Sequence, residues 1–289
     1  MGSKEKFWLQ NPKTNRRFLW KEAREGTGED WSEKVAYEIA RLLRVPSARV
    51  DLAKMGEAHG VLCWDLLHIQ RRNSPRLVPG NDLLRDRDPD YPLNQTYRVP
   101  KHTVSAVFDA LQQFGAPSCA PAVAHLMRDA FDAFIGYLML DALIGNTDRH
   151  HENWGIIESK SDHTARRVLS PSYDHASSLG RELNDTQRVR RLMHPTGRES
   201  VQEYADKAKS AFGDGSPRGK RSPRAAFAEA AGLRPATGRL WLAHLRHTAI
   251  DQLQERVEQV PPRRLSDHGK RFTKELLSYN YQELLRLPI

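Results

Sequence analysis

The amino-terminal part of the chain combines short β-favouring runs with one helical pattern. Apolar residues gather at residues 7–9 and 17–20, on either side of a turn-like segment that contains Asn and Pro. Residues 31–43 repeat apolar side chains three and four positions apart, as one face of a helix requires. Two more β-favouring runs follow at residues 50–52 and 60–64. We therefore expect strands arranged around one helix.

The pattern beyond residue 101 is mainly helical. Two short apolar runs, at residues 154–157 and 167–169, interrupt it and predict a pair of strands. Apolar side chains recur at helical spacing in the other stretches, most clearly in the long run that ends at Ile144. The predicted helices cover residues 104–114, 121–144, 225–231 and 240–257.

Two polar stretches separate these patterns. Residues 66–101 are rich in Pro, Arg and Asp and predict a linker with a long surface loop, whereas the basic, Gly/Ser/Pro-rich residues 209–224 predict a mobile loop. We therefore divide the chain into a small β-rich lobe at residues 1–65, a hinge and connector, and a larger mostly helical lobe at residues 102–289. The predicted fold class is α+β and bilobal, an outline that many enzymes share.

Composition places the chain among ordinary globular proteins. Of its 289 residues, 39% are hydrophobic and 28% are charged, which is enough apolar material for a sizeable core. No stretch approaches the roughly 18–20 apolar residues that a membrane-spanning helix needs, and the first residues lack the apolar segment of a secretory signal. Cys63 and Cys119 alone give no disulfide framework. We therefore expect a cytoplasmic protein without a membrane span.

The net charge of +9 raises the hypothesis of nucleic-acid binding. The basic residues are, however, scattered along the chain without interleaved aromatic residues or a recognisable binding motif. A cleft that holds a triphosphate, or an acidic partner protein, explains the positive charge equally well. Direct nucleic-acid binding is therefore not the function that we favour.

The most informative segment joins the end of the long apolar helix to the following strand. Seven polar or charged residues in a row, residues 146–152, precede Asn153, and such residues at the end of a buried helix need partners or a ligand. Asp148 and Asn153 are five positions apart, the spacing at which kinase loops aim a carboxylate at the substrate hydroxyl and an amide oxygen at Mg²⁺. Asp174 is predicted to end a second apolar strand, and a hairpin would bring it beside this loop.

These residues resemble a known family. Asp148-Arg-His-x-x-Asn153, followed by Tyr173-Asp174, is similar to the catalytic and metal-binding loops of HipA-like kinases, which are bacterial toxin-type Ser/Thr kinases. The same pattern is also similar to phosphatidylinositol kinases, whereas eukaryotic protein kinases fit less well because His175 stands where they have Phe. The resemblance implies a bilobal protein-kinase-like fold, a catalytic role for Asp148, and Mg²⁺ binding by Asn153 and Asp174. It also implies that His150 braces the loop by hydrogen bonding.

The resemblance extends towards the amino terminus. Residues 2–6 are similar to the loop that covers the nucleotide, although they offer a single glycine, and Ser3 is a candidate phosphorylation site. Lys21 corresponds to the lysine that grips the phosphates of ATP, and Glu33 to the helix glutamate that pairs with it. Residues 62–66 correspond to the hinge that binds adenine. The hinge side chains that we assign to the nucleotide site are Cys63, Trp64 and Asp65.

Several alternatives remain open at this point. Lys21 could be an ordinary edge-strand lysine, Glu33 could only cap its helix while Glu38 serves as the partner, and Trp64 could belong to the core. The adjacent His150 and His151 do not readily converge on one zinc ion, and we expect His151 to face solvent. We also expect a short form or separately encoded kinase core, without the additional amino-terminal subdomain of HipA-like toxins.

The resulting hypothesis is an ATP- and Mg²⁺-dependent protein Ser/Thr kinase. The family resemblance implies a role in toxin–antitoxin growth control, a protein substrate related to translation, and an antitoxin partner protein. Two alternatives remain. One is a lipid or small-molecule kinase of the same fold, and the other is a kinase-shaped module that binds protein or nucleic acid without catalysis.

Overall fold

The computed structural model describes residues 6–67, 75–160, 165–216 and 218–289, and within them it forms a β-rich lobe and a larger helical lobe. None of the described helices is long and apolar enough to cross a membrane. The strands are β1 (Lys6–Gln10), β2 (Arg17–Glu22), β3 (Val50–Met55), β4 (Ala58–Trp64), β5 (Arg76–Pro79), β6 (Gly155–Lys160) and β7 (Ala165–Leu169). The helices are α1 (Glu29–Leu42), α2 (Gly80–Arg87), α3 (Val104–Leu111), α4 (Ala130–Ile144), α5 (Asp185–Met193), α6 (Val201–Lys207), α7 (Pro223–Leu233), α8 (Pro235–Arg246), α9 (Ile250–Glu258) and α10 (Asp267–Leu285).

The first sheet carries α1 on one face. Its strand order is β1-β2-β4-β3, and all neighbouring strands are antiparallel. Because side chains alternate along a strand, Lys21, which is paired with Val61, shares a face with Cys63. Val50, Val61 and Cys63 are buried together on this face, and Tyr37 of α1 packs against them. The helix thus covers the side of the sheet that presents Lys21.

Helix α4 forms the centre of the larger lobe. All fifteen of its residues are buried, in agreement with the long apolar run in the sequence. Trp241 of α8 lies so close that a side chain at Gly136 would meet its ring at 2.4 Å, so glycine is required for this contact. Because α4 is surrounded by the core on all sides, it gives a rigid base to the loop that follows it.

The strand pair predicted after this loop is confirmed. Strands β6 and β7 pair antiparallel, with Ile156 opposite Leu169. Ser170, directly after β7, donates its backbone N–H to the carbonyl of Gly155 at 2.9 Å. The hairpin therefore brings the segments before β6 and after β7 to the same end. The prediction that Asp174 ends the second strand is wrong. Asp174 lies five residues beyond the end of β7.

The prediction of a linker with a long surface loop at residues 66–101 is wrong over residues 76–87, which form a strand and a helix. Strand β5 joins the β6–β7 hairpin, with Val78 opposite Ile156, and α2 follows it directly. The short apolar run is stabilised by a partner strand about 80 positions away in sequence, a pairing that local patterns do not indicate. Residues 68–74 lie outside the described residues.

Two predicted long helices are each interrupted. Within residues 121–144, a 3-10 helix (Pro121–Leu126) precedes α4, and Asp129 caps α4 by accepting the backbone N–H of Asp132 at 2.9 Å. Residues 240–257 divide between α8 and α9. The basic loop has no helix before α7 begins at Pro223, with Pro217 outside the described residues.

Candidate active site

The loop with the candidate catalytic residues leaves the buried end of α4. Gly145 has the left-handed backbone conformation (φ 67) that commonly ends helices, and the next backbone N–H, of Asn146, returns to the carbonyl of Asp141 at 2.8 Å. The side chain of Asn146 accepts the backbone N–H of Asp148 at 3.1 Å. Helix end and loop are therefore fixed to each other before Asp148 is reached.

Arg149 anchors the loop from within. Its side chain is only 1% exposed and makes two hydrogen bonds to the carboxylate of Asp141, at 2.7 and 2.8 Å. The same guanidinium donates to the backbone carbonyls of Asn153 at 2.8 Å and of Tyr173 at 3.1 Å. One buried cation thus joins α4, the loop at residues 146–153 and the segment that carries Asp174.

Asn153 is held in a fixed orientation against the loop. Its side-chain N–H donates to the backbone carbonyl of Asp148 at 2.7 Å, and its backbone N–H donates to the backbone carbonyl of His150 at 2.9 Å. The amide oxygen is therefore the end of the Asn153 side chain that a metal ion would meet. Carbonyl-type oxygens of this kind are suitable ligands for hard divalent cations.

Lys21 brings the sheet into contact with this loop region. Its ammonium lies 3.0 Å from the carboxylate of Asp174 and 3.7 Å from that of Glu33. Burial would lower the pKa of Lys21, but the negative charges of Asp174 and Glu33 outweigh burial and raise it well above the usual value. Lys21 is therefore a permanent cation within a group of carboxylates, rather than an ordinary edge-strand lysine.

The carboxylate of Asp174 is close enough to Asp148 for its charge to act on that side chain. Burial and then the negative charge of Asp174 raise the pKa of Asp148 to about 6. Asp174 occupies a left-handed backbone conformation (φ 60), which is uncommon outside glycine and is often found at functional sites. Carboxylate oxygens and the amide oxygen of Asn153 are the donor types that Mg²⁺ prefers, so the chemistry of these residues fits the metal that the sequence predicts.

Helix α1 is fastened to the segment at residues 174–181. The carboxylate of Glu33 accepts the backbone N–H of His175 at 3.3 Å, and the hydroxyl of Ser32 donates to the carbonyl of Ala176 at 2.7 Å. One turn earlier, Glu29 pairs with Arg181 at 3.0 Å. These contacts place Glu33 next to Lys21, so Glu33 rather than Glu38 is the helix glutamate at the site. Glu38 instead pairs with Lys34 at 2.8 Å.

The two adjacent histidines are both enclosed. The ring of His150 accepts the backbone N–H of Glu152 at 3.2 Å, and burial lowers the pKa of His150, so the ring is neutral and braces the loop. The expectation that His151 faces solvent is wrong. His151 is 1% exposed, and its Nδ1 is 2.7 Å from the hydroxyl of Tyr91. The cause is the unexpected packing of residues 76–99 against the loop.

The three candidate hinge residues differ in their placement. Cys63 lies on the Lys21 face of the sheet, and Trp64, by strand alternation, lies on the opposite face. The Trp64 indole donates to Asp51 at 2.9 Å, with the guanidinium of Arg49 3.9 Å from its ring. Asp65 accepts the backbone N–H of Leu67 at 3.0 Å. The structure therefore brings Cys63, but not the other two side chains, towards the carboxylate group.

Residues 2–5, which carry the candidate nucleotide-covering loop and Ser3, lie outside the described residues, and Lys6 begins β1. The adenine-binding role of residues 62–66 therefore stays a prediction.

Sequence reasoning missed the internal supports of the site. Arg149 and Asp141, which hold the loop, were not among the predicted site residues. A signal was present, because Asp141 is one of two acids in an otherwise apolar run and a buried acid requires a partner. Ser32 gave no comparable signal, since a single serine in a helix is ordinary.

Comparison with known proteins relates this geometry to a family. A family model described as the HipA-like C-terminal domain matches residues 1–247. The proinflammatory kinase CtkA of Helicobacter pylori has a similar structure, with a TM-score of 0.70 and 17% identity over 100% of this chain and 94% of that chain. No curated protein sequence matches the chain.

A second similar structure is HipA of Shewanella oneidensis MR-1, solved as a toxin–antitoxin complex with HipB and operator DNA. Its TM-score is 0.57 with 13% identity, over 99% of this chain and 64% of that chain. At such low identity both likenesses concern the fold, and they confirm the predicted bilobal kinase-like architecture. With the family model matching 247 of its 289 residues, the chain belongs to the HipA-like family.

Proposed function

We propose that the protein is an ATP- and Mg²⁺-dependent protein Ser/Thr kinase of the HipA-like kind. The observation that carries the proposal is the meeting of Lys21, Glu33 and Asp174 beside Asp148, from four separate parts of the chain. Phosphoryl transfer needs a cation for the phosphates, oxygen ligands for the metal and a group that orients the attacking hydroxyl. Lys21, the oxygens of Asn153 and Asp174, and Asp148 are suited to these three needs.

Each side chain has a defined task in this proposal. Lys21, held beside Glu33, binds and orients the phosphates of ATP in the cleft. Asn153 and Asp174 hold Mg²⁺, whose charge offsets the negative charge of the β- and γ-phosphates. Asp148 accepts the proton of a Ser or Thr hydroxyl as its oxygen bonds to the γ-phosphorus, and the bond to the β-phosphate oxygen breaks, releasing ADP.

The raised pKa of Asp148 is compatible with this task. With a pKa of about 6, Asp148 is ionised at neutral pH and can accept a proton. Arg149 and His150 act indirectly in this proposal, because their hydrogen bonds fix the loop that carries Asp148 and Asn153. Catalysis would depend mainly on positioning and electrostatics.

The biological setting is part of the proposal. The similar Shewanella HipA was solved with HipB and operator DNA, which supports an antitoxin partner for this chain also. We propose a cytoplasmic growth regulator in a toxin–antitoxin pair, with a protein substrate related to translation. A pull-down with the full chain as bait, followed by mass spectrometry, would identify such a partner.

The acceptor class can be tested directly. We expect the protein, given γ-labelled ATP and Mg²⁺, to label Ser or Thr in lysate proteins, and to leave phosphoinositide vesicles unlabelled. Omission of Mg²⁺ should abolish the transfer. Label in lipid rather than protein would replace the protein-kinase proposal with a lipid kinase, and no label in either acceptor would refute both.

A further inference from the structure

A pocket of about 450 Å³ lies outside the group of catalytic residues. One wall is formed by Arg98 and the two residues after it, and the opposite wall by the basic loop before α7. Arg98, Arg218 and Lys220 line the pocket, and all three are exposed. The basic loop, which had no role in the sequence-based site, thus forms half of a concave surface.

The pocket carries a net positive charge. Within the described parts of the chain, no ion pair engages Arg98, Arg218 or Lys220. The nearest acid of the loop is Asp214, and its carboxylate accepts the backbone N–H and the hydroxyl of Ser216, at 2.9 and 2.7 Å. Three cations therefore face solvent together, a combination that favours an anionic ligand.

The pocket begins next to the catalytic loop. Tyr97, the residue before Arg98, has its ring 5.5 Å from the ring of His150. The negative charge of Asp148 is the main cause that raises the pKa of Tyr97, so its hydroxyl lies near that carboxylate. Arg98, the next residue, lines the pocket, so one short segment of chain borders both the catalytic loop and the pocket.

A stack of rings connects the pocket to the catalytic loop. His102 packs against Phe212 of the basic loop at 4.5 Å, and the carbonyl of His102 accepts the backbone N–H of Gly213 at 2.9 Å. On its other side, His102 accepts the indole N–H of Trp154 at 3.2 Å. Trp154 directly follows Asn153, so the pocket is held in a fixed position relative to the candidate metal ligand.

We infer that this pocket binds acidic side chains of the protein substrate, close to the Ser or Thr that receives the phosphate. The inference rests on the proposed kinase function and specifies its substrate class. A protein is favoured over a nucleic acid because no aromatic side chain lines the pocket, and base stacking needs such a platform. The volume falls in the ordinary range for ligand sites, roughly 300–1,000 Å³.

The test uses peptide mixtures with a fixed central Ser or Thr. We expect wild type to phosphorylate a mixture with Asp and Glu at flanking positions at least about tenfold faster than one with Lys and Arg there, since about 1.4 kcal/mol gives that factor. The double variant Arg218→Glu, Lys220→Glu should reverse the preference. The matched control, Arg198→Glu with Arg239→Glu, changes the net charge equally at two exposed arginines outside the pocket and should keep the wild-type preference.

Binding measured without catalysis separates the two proposals. A fluorescent hexaglutamate peptide should bind wild type and the control, but not the pocket variant. Absence of an acidic preference, or a preference that survives charge reversal in the pocket, would overturn the inference. Stronger binding of a single-stranded oligonucleotide, lost in the pocket variant, would assign the pocket to nucleic acid instead. Hexaglutamate binding that needs the pocket, combined with no phosphate transfer to any protein, would refute the kinase function alone.

Discussion

Arg149 is the single residue on which the geometry of the candidate site most depends. Its buried guanidinium has one carboxylate partner, Asp141, and also bonds to two carbonyls on different segments. A planar guanidinium can make these bonds in several directions at once, whereas an ammonium cannot do so with the same geometry. The position of Asn153 relative to Asp174 follows from this arrangement.

Replacement of Arg149 should therefore affect stability strongly. Arg149→Met leaves the Asp141 carboxylate buried without its cation, and we expect a loss of about 3–5 kcal/mol in the free energy of unfolding. The control is Arg286→Met, whose side chain is 70% exposed, with an expected loss of at most about 1 kcal/mol. Urea denaturation measures both, and equal losses would show that the Arg149 network does not support the loop.

His102 provides a second residue-level prediction, which concerns pH. Burial lowers the pKa of His102 to about 3, whereas an unfolded chain has a histidine pKa of about 6.5. Between these values the unfolded chain binds the additional proton, so stability is present above pH 6.5 and declines as the pH falls below it. From pH 7 to pH 5, this histidine alone should reduce the free energy of unfolding by about 2 kcal/mol.

The measurement compares the stability loss between pH 7 and pH 5 in wild type and in His102→Gln. A glutamine can still accept from Trp154 but does not titrate, so the loss should be smaller by about 2 kcal/mol. His247→Gln is the control, because His247 is exposed. An identical pH dependence in wild type and His102→Gln would contradict the neutral, buried state of this ring.

At the scale of elements, the sequence predicted the strands and helices that arise from local patterns of apolar and polar residues. The strands of the first sheet, the helix beside it and the β6–β7 hairpin were all indicated by apolar periodicity. The spacing of Asp148, Asn153 and Asp174 selected residues that interact in the structure: Asn153 bonds to the backbone of Asp148, and the charge of Asp174 acts on the Asp148 side chain. Their catalytic roles stay predictions. These features depend on neighbours within a few residues or on one hairpin.

The features that escaped prediction depend on distant partners. Strand β5 is short and lies in a polar segment, and it forms because β6 offers an edge. The break before α4 follows from the capping by Asp129, which a count of apolar residues ignores. His151 was predicted to face solvent because nothing in its own segment indicates that Tyr91 would cover it.

At the scale of the whole molecule, the carboxyl-terminal helices support the first lobe. Arg264, between α9 and α10, forms a nearly buried ion pair with Asp30 of α1 and donates to the carbonyl of Ala53 in β3 at 2.8 Å. Asp30 lies three residues before Glu33 on the same helix. The position of the Glu33–Lys21 pair is therefore coupled to residues beyond the part that the family model matches.

This coupling leads to a prediction for a double-mutant cycle. Arg264→Met should lower the free energy of unfolding by about 3–5 kcal/mol, because Asp30 stays buried without a cation. Adding Asp30→Asn should recover part of the loss, with an interaction energy of about 0.5–3 kcal/mol. Nucleotide affinity should decrease in Arg264→Met as α1 loosens. Additive losses in the two single variants would indicate that the ion pair is not a coupling element.

The most direct test of the central claim is the rate of γ-phosphoryl transfer in four proteins: wild type, Asp148→Asn, Asp174→Asn and the control Asp86→Asn, an exposed position on α2. If Asp148 accepts the hydroxyl proton and Asp174 holds Mg²⁺, the transfer rate of Asp148→Asn should be lower than that of wild type by a factor of about 10²–10⁴. Asp174→Asn should show no Mg²⁺-dependent transfer, and Asp86→Asn should match wild type. Equal rates in all four proteins would contradict the account.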